Sequence, residues 1–169
     1  MSLIEVMISL AITAILLVAV AVAYKASSDA INANDAYFKA SQAGRIAMNQ
    51  MLTEIRRADA VQVTGTTSVA IIRPVQNRLL NEVQRVFTYD AVNKKITAQV
   101  FYSGVIPPSP LYTLASNVAS GTGFGPAEIG TDYDGTTVAS RVPVSIVISS
   151  GNGVVALSGA AAPRRASKY

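Results

Sequence analysis

Glu5 is the one carboxylate in this sequence that stands where a charge is costly. It lies inside Met1-Ser-Leu-Ile-Glu-Val-Met-Ile-Ser-Leu-Ala-Ile12, and no charged residue follows until Lys25. At a helix start the positive end of the macrodipole favours such a group by about 0.3–1 kcal/mol. An ionised group at the membrane centre costs about 2.5–3.5 kcal/mol on the insertion scale, less near the surface. A carboxylate at the edge of hydrocarbon therefore calls for a named partner, and the nearest cation is a free α-amino group, either that of Met1 or that of a neighbouring chain. A second acidic pattern, Asp132-Tyr-Asp134-Gly135 with Glu128 upstream, has carboxylates at i and i+2 before a glycine. That is a fragment of a calcium loop, but an exposed turn explains it more simply. Basic pairs occur at Arg56-Arg57 and Lys94-Lys95, and a third cluster at Arg164-Arg165 with Lys168. These side chains could meet nucleic-acid phosphates, but without interleaved aromatics they read more simply as solvated faces or inter-subunit ion pairs.

What is missing narrows the chemistry further. The chain has no His and no Cys, which removes Ser-His and Cys-His nucleophiles, His-ligated zinc and any disulfide. No phosphate loop or activated nucleophile is present, so no reaction is identified and no cofactor is expected. The net charge of +4 and pI near 9.5 permit contact with anionic surfaces without specifying one.

The element that must carry Glu5 is a helix. Val6 to Ala23 is uncharged, and these residues in helical form rise roughly 27 Å, close to a bilayer's hydrocarbon thickness. Residues 1–58 lack proline and reach their first glycine at Gly44, so a single helix of roughly 87 Å is expected. Leu17 to Ala23 alternates valine and alanine and is its weakest stretch, because β-branched residues are poor helix formers. Loss of regular helix there in an assembled state is one expectation. Ser9 and Thr13 are expected to return their hydroxyls to carbonyls one turn back. Past Lys25, Ala30, Ala33, Tyr37, Ala40, Gly44, Ala47, Met51, Ile55 and Ala58 recur every three or four residues, which predicts a stripe laid against a core.

From Ala60 the texture changes to short β-branched runs between turn residues. Strands are expected near 60–63, 69–72, 83–89, 96–102, 112–118, 142–149 and 154–157, with hairpins about Asp90–Lys94 and Ser149–Gly153. Residues 103–110 and the glycine-rich 121–135 read as loops. The expected fold is α+β, with a long N-terminal helix, apolar then amphipathic, packed on an antiparallel sheet. Its parts are an apolar helix long enough to span a membrane (1–24), an amphipathic helix (25–59), a sheet domain (60–159) and a basic C-terminal tail (160–169).

With those residues set out, the N-terminus resembles the mature start of the type IV pilin and type II secretion pseudopilin superfamily, whose common form is Phe-Thr-Leu-Ile-Glu before an apolar helix. The matching run is Met1-Ser-Leu-Ile-Glu-Val-Met-Ile-Ser-Leu-Ala-Ile12, and the likeness extends over the first 24 residues. Arg56-Arg57, Leu114-Ala-Ser-Asn-Val118 and Pro143-Val-Ser-Ile-Val-Ile148 are more loosely similar to larger minor pilins and J-type pseudopilins. The sequence departs from the pattern at Met1, where phenylalanine is commoner, at Ala14 and Val22, where many pilins have Gly and Pro, and in lacking the C-terminal cysteine pair.

The resemblance implies a non-enzymatic structural subunit. A basic leader would have been removed by a prepilin peptidase, with Met1 N-methylated at the new terminus and Glu5 pairing with a neighbour's terminal amine during assembly. Implied partners are copies of this chain or related pilins in a helical filament, the inner membrane before assembly, and an assembly platform. The implied location is the inner membrane for the free subunit and an extracellular or periplasmic filament afterwards. A type II secretion pseudopilus and a DNA- or surface-binding pilus adhesin are the alternatives.

Overall fold

The computed structural model describes residues 2–72, 82–103, 108–131, 137–150 and 153–163. One helix, α1 (Leu3–Arg56), runs without interruption for 54 residues, about 81 Å. It passes through Leu17 to Ala23 as regular helix in this single chain. Among the described residues nine strands follow: β1 (Ala60–Thr64), β2 (Ser68–Ile72), β3 (Glu82–Asp90), β4 (Lys95–Tyr102), β5 (Tyr112–Ser116), β6 (Gly123–Phe124), β7 (Glu128–Thr131), β8 (Thr137–Ser150) and β9 (Gly153–Ala161). The fold is α+β, as the sequence pattern predicts.

β1 to β5 form an antiparallel sheet in sequential order, while β8 is the centre of a second sheet, flanked by β6 and β7 along one edge and β9 along the other. Both expected hairpins are present: Asp90 pairs with Lys95 across the first turn, and Ser150 with Gly153 across the second. Ser109 ties the proline-rich connection back to β4, its amide donating to the Val100 carbonyl and its Oγ accepting from the Val100 amide.

The glycine-rich stretch 121–135 departs from expectation, because β6 and β7 both lie within it. Gly123 sits so close to the Thr66 carbonyl that a Cβ would collide with backbone, and a Cβ on Gly125 would run into the Pro143 ring. These glycines permit close approach rather than a flexible loop. Pro143 also explains why β6 and β7 are two strands. Its carbonyl accepts from the Gly125 amide, but proline has no N–H to return the bond, so the ladder breaks there.

The core lies between helix and sheets. Met51 and Ile55 from α1 meet Phe87, Ile96, Val118, Val142, Ile146 and Ile148, all with almost no exposed surface. Alternation places Ile96, Ala98 and Val100 of β4, and Val142, Val144, Ile146 and Ile148 of β8, on the inner faces. Each such large apolar side chain contributes about 1.5–3 kcal/mol. Gly44 and Gly159 let the helix and β9 approach closely: the ends of Leu157 and Ile148 fill the space beside Gly44, and Leu52 and Met48 the space beside Gly159.

The predicted helix stripe is only partly covered. Gly44, Ala47, Met51, Ile55 and Ala58 are buried and Ala40 is half-buried, but Ala30, Ala33 and Tyr37 remain exposed. The sheet domain ends near Ala40, so the earlier half of the stripe projects past it.

Candidate functional site

The projecting part of α1 begins with a reciprocal cap. The Ser2 amide donates to Glu5 Oε2 at 2.9 Å, and the Ile4 amide donates to Ser2 Oγ at 3.2 Å. Ser at the N-cap with Glu three residues later is the pairing that satisfies otherwise orphaned first-turn donors. Beyond it, Ser9 Oγ donates to the Glu5 carbonyl at 2.8 Å and Thr13 Oγ1 to the Ser9 carbonyl at 2.7 Å. Both hydroxyls are satisfied within the helix, as expected from their sequence. Glu5 is thus held at the tip by its own chain, facing outward on an exposed turn. Met1 lies outside the described residues, so its amine has no stated position.

Between Leu3 and Lys39 every residue but the half-buried Ser28 is exposed, a rod of about 55 Å. It is long and apolar enough to cross a membrane. Its large side chains include a set at seven-residue intervals, Leu3, Leu10, Leu17, Tyr24, Ile31 and Phe38, each at least 60% exposed. A seven-residue step turns a straight helix by only about 20°, so these side chains form one slowly winding line. The small-residue stripe masked this second line in the sequence; counting every seventh residue from Leu3 would have found it.

Lys25 and Asp29, and Asp35 and Lys39, stand four residues apart on the same rod. That spacing brings opposite charges together on a helix surface, leaving this part of the rod without net charge.

The other sequence candidates are scattered. Asp132 and Asp134 lie outside the described residues. Glu128, on β7, accepts a 3.0 Å bond from Arg141 of β8, and among the described residues no three acidic side chains gather to hold a metal ion. Arg56 and Arg57 are exposed at the end of α1, and Lys94 and Lys95 at the β3–β4 turn; Arg164, Arg165 and Lys168 lie outside the described residues.

One charged cluster has no signature in the sequence. Arg85 on β3 bridges Glu54 on α1 at 3.2 Å and forks onto Glu82 with bonds of 3.1 and 3.2 Å. Burial alone would lower the Arg85 pKa, but Glu54, Tyr112 and Glu82 outweigh it and hold the guanidinium above its ordinary value. The cluster fastens the last turns of the helix to the five-stranded sheet. No protein-family model, curated protein or solved structure matches this chain.

Proposed function

We propose that this chain is a structural subunit of a type IV pilus-like filament, held in a membrane by α1 before assembly and packed through α1 with other copies afterwards. The observation that supports this reading is the capped, exposed apolar rod carrying Glu5 at its tip. Covering its large side chains is worth on the order of tens of kcal/mol, more than the 5–15 kcal/mol by which a typical domain is stable. A rod of this kind has to be covered.

Lipid accounts for part of that cover. From Tyr24, Ile31 lies about 10 Å and Phe38 about 21 Å farther along the axis, past the length needed to span hydrocarbon. Protein is the remaining cover, and the matching helix of a second copy supplies the same seven-residue line. In this reading the Glu5 carboxylate, kept at the end of the rod by the Ser2 amide, accepts the terminal amine of a neighbour and fixes the axial register between chains.

Glu5→Gln tests the reading. The variant is expected to insert into the membrane with its sheet domain folded, while its incorporation into filaments falls at least tenfold. Filament yield equal to that of the unaltered chain would overturn the register mechanism.

A further inference from the structure

A groove of about 620 Å³ opens where the two sheets meet, lined by Tyr89, Ala91 and Lys94 from one side and by residues 117–120 with Ser149 from the other. We propose that it binds an acidic saccharide. This assignment is independent of the filament reading.

The frame of the groove is tied together by hydrogen bonds. The Val118 amide donates to the Lys94 carbonyl at 3.0 Å, the Ser149 amide to the Asn117 carbonyl at 2.8 Å, and the Ala119 amide to the Val147 carbonyl at 2.7 Å. Tyr89 Oη reaches the Ala119 carbonyl at 3.3 Å. Thr122 completes the stitching, exchanging bonds with the amide and carbonyl of Val147. Among the described residues, the non-glycine residues with left-handed backbone are Lys94, at φ 51°, and Asn117, at φ 58°. Both line this groove. Such conformations persist where surrounding bonds over-determine them, and they concentrate at ligand clamps.

The lining specifies the ligand. Among the described residues the lining carries an ammonium on Lys94, an amide on Asn117, hydroxyls on Tyr89, Ser120 and Ser149, and no carboxylate. Lys94, Asn117, Ser120 and Ser149 are all exposed, so these groups are open to a ligand from solvent. Ala91 and Ala119 provide small apolar ground between the polar groups. A carboxylate-bearing sugar matches each part, with its charge on Lys94, its hydroxyls on Asn117 and the serines, and its C–H face on the two alanines. The volume lies within the range of small-molecule sites. A nucleotide fits less well, because among the described residues Lys94 is the one cation lining the groove and no helix N-terminus cradles a phosphate there.

The test is an amide chemical-shift titration of the full chain in neutral detergent micelles. The probes are a sialylated trisaccharide, a glucuronate-containing disaccharide, lactose and acetate, each up to about 10 mM. The expected result is saturable movement of the Ala91, Lys94, Asn117–Ser120 and Ser149 signals with at least one acidic saccharide, and which of the two acts identifies the acidic sugar. Lactose and acetate should bind at least roughly fivefold more weakly, as should the acidic saccharide with Lys94→Gln. Asn117→Asp, which tolerates the same backbone and adds a repelling charge, should abolish the shifts. The proposal is overturned if no signal in the groove moves, if lactose or acetate matches the acidic saccharides, or if Lys94→Gln binds as well as the parent chain.

Discussion

Among the described residues, Arg85 is the one whose ion pairs join helix to sheet. Its side chain is 17% exposed and that of Glu54 only 10%, so removing the guanidinium would withdraw its ion pairs from two poorly solvated carboxylates. Arg85→Ala is expected to destabilise the domain by about 3 kcal/mol, measurable as a lowered denaturation midpoint. Arg85→Lys should recover only part of that loss, because an ammonium cannot fork onto Glu82. Nothing in the sequence pointed to this cluster, since its members are brought together by folding and obey no local spacing rule. Asp90 is different: an aspartate opening a polar turn announces its own role, and its carboxylate accepts from the Val92 and Asn93 amides and the Asn93 side chain. Bonds from Asn93, its backbone first, hold the Asp90 pKa below the ordinary carboxylate value. The stabilisation this gives is present above the unfolded pKa of about 3.9 and fades as pH falls through the lower folded value. A pH titration of the Val92 and Asn93 amide signals should show a midpoint below 3.9; a midpoint at or above it would count against the turn as described.

Among the elements, β6 and β8 show how far local rules reach. The inward line of Val142, Val144, Ile146 and Ile148 was legible as a strand because alternation is a local signal. β6 was not, because glycine ordinarily weakens strands and its value here lies in the empty space beside it. The Phe124 amide donates to the Thr66 carbonyl at 2.9 Å, so the β1–β2 turn and the second sheet meet at backbone level directly next to Gly123. Gly123→Ala should force that junction apart and cost about 1–3 kcal/mol, read by thermal or chemical denaturation. Gly44→Ala should cost much less, because flexible side-chain ends of Leu157 and Ile148 can yield and alanine is the better helix former. Equal losses for the two variants would argue against a backbone contact at Gly123.

At the scale of the whole molecule, a continuous helix was readable from the absence of proline and of early glycine, and the antiparallel sheet from repeated β-branched runs. The length over which the two touch was not. A stripe of alanines has the same spacing whether or not a domain lies under it, and the domain reaches only to about Ala40. The proposed assembly makes a demand on the uncovered part. Phe38→Asp, at a position 67% exposed, should leave the domain stability and membrane insertion unchanged while reducing filament incorporation by roughly tenfold or more, as counted by labelled subunits in purified filaments. Unchanged incorporation would mean that the line through Tyr24, Ile31 and Phe38 does not meet another chain.

The grip between α1 and the second sheet also sets how the molecule carries load. Leu157 and Ile148 fill the notch at Gly44, and Leu52 sits against the notch at Gly159, so each partner has a protrusion lodged in the other. Sliding the helix along its axis would require these side chains to climb out of their seats in a close-packed interior. Tension applied at the tip therefore reaches the sheets through interlocked detents rather than through a smooth greasy surface, and the shaft resists being drawn out of its socket.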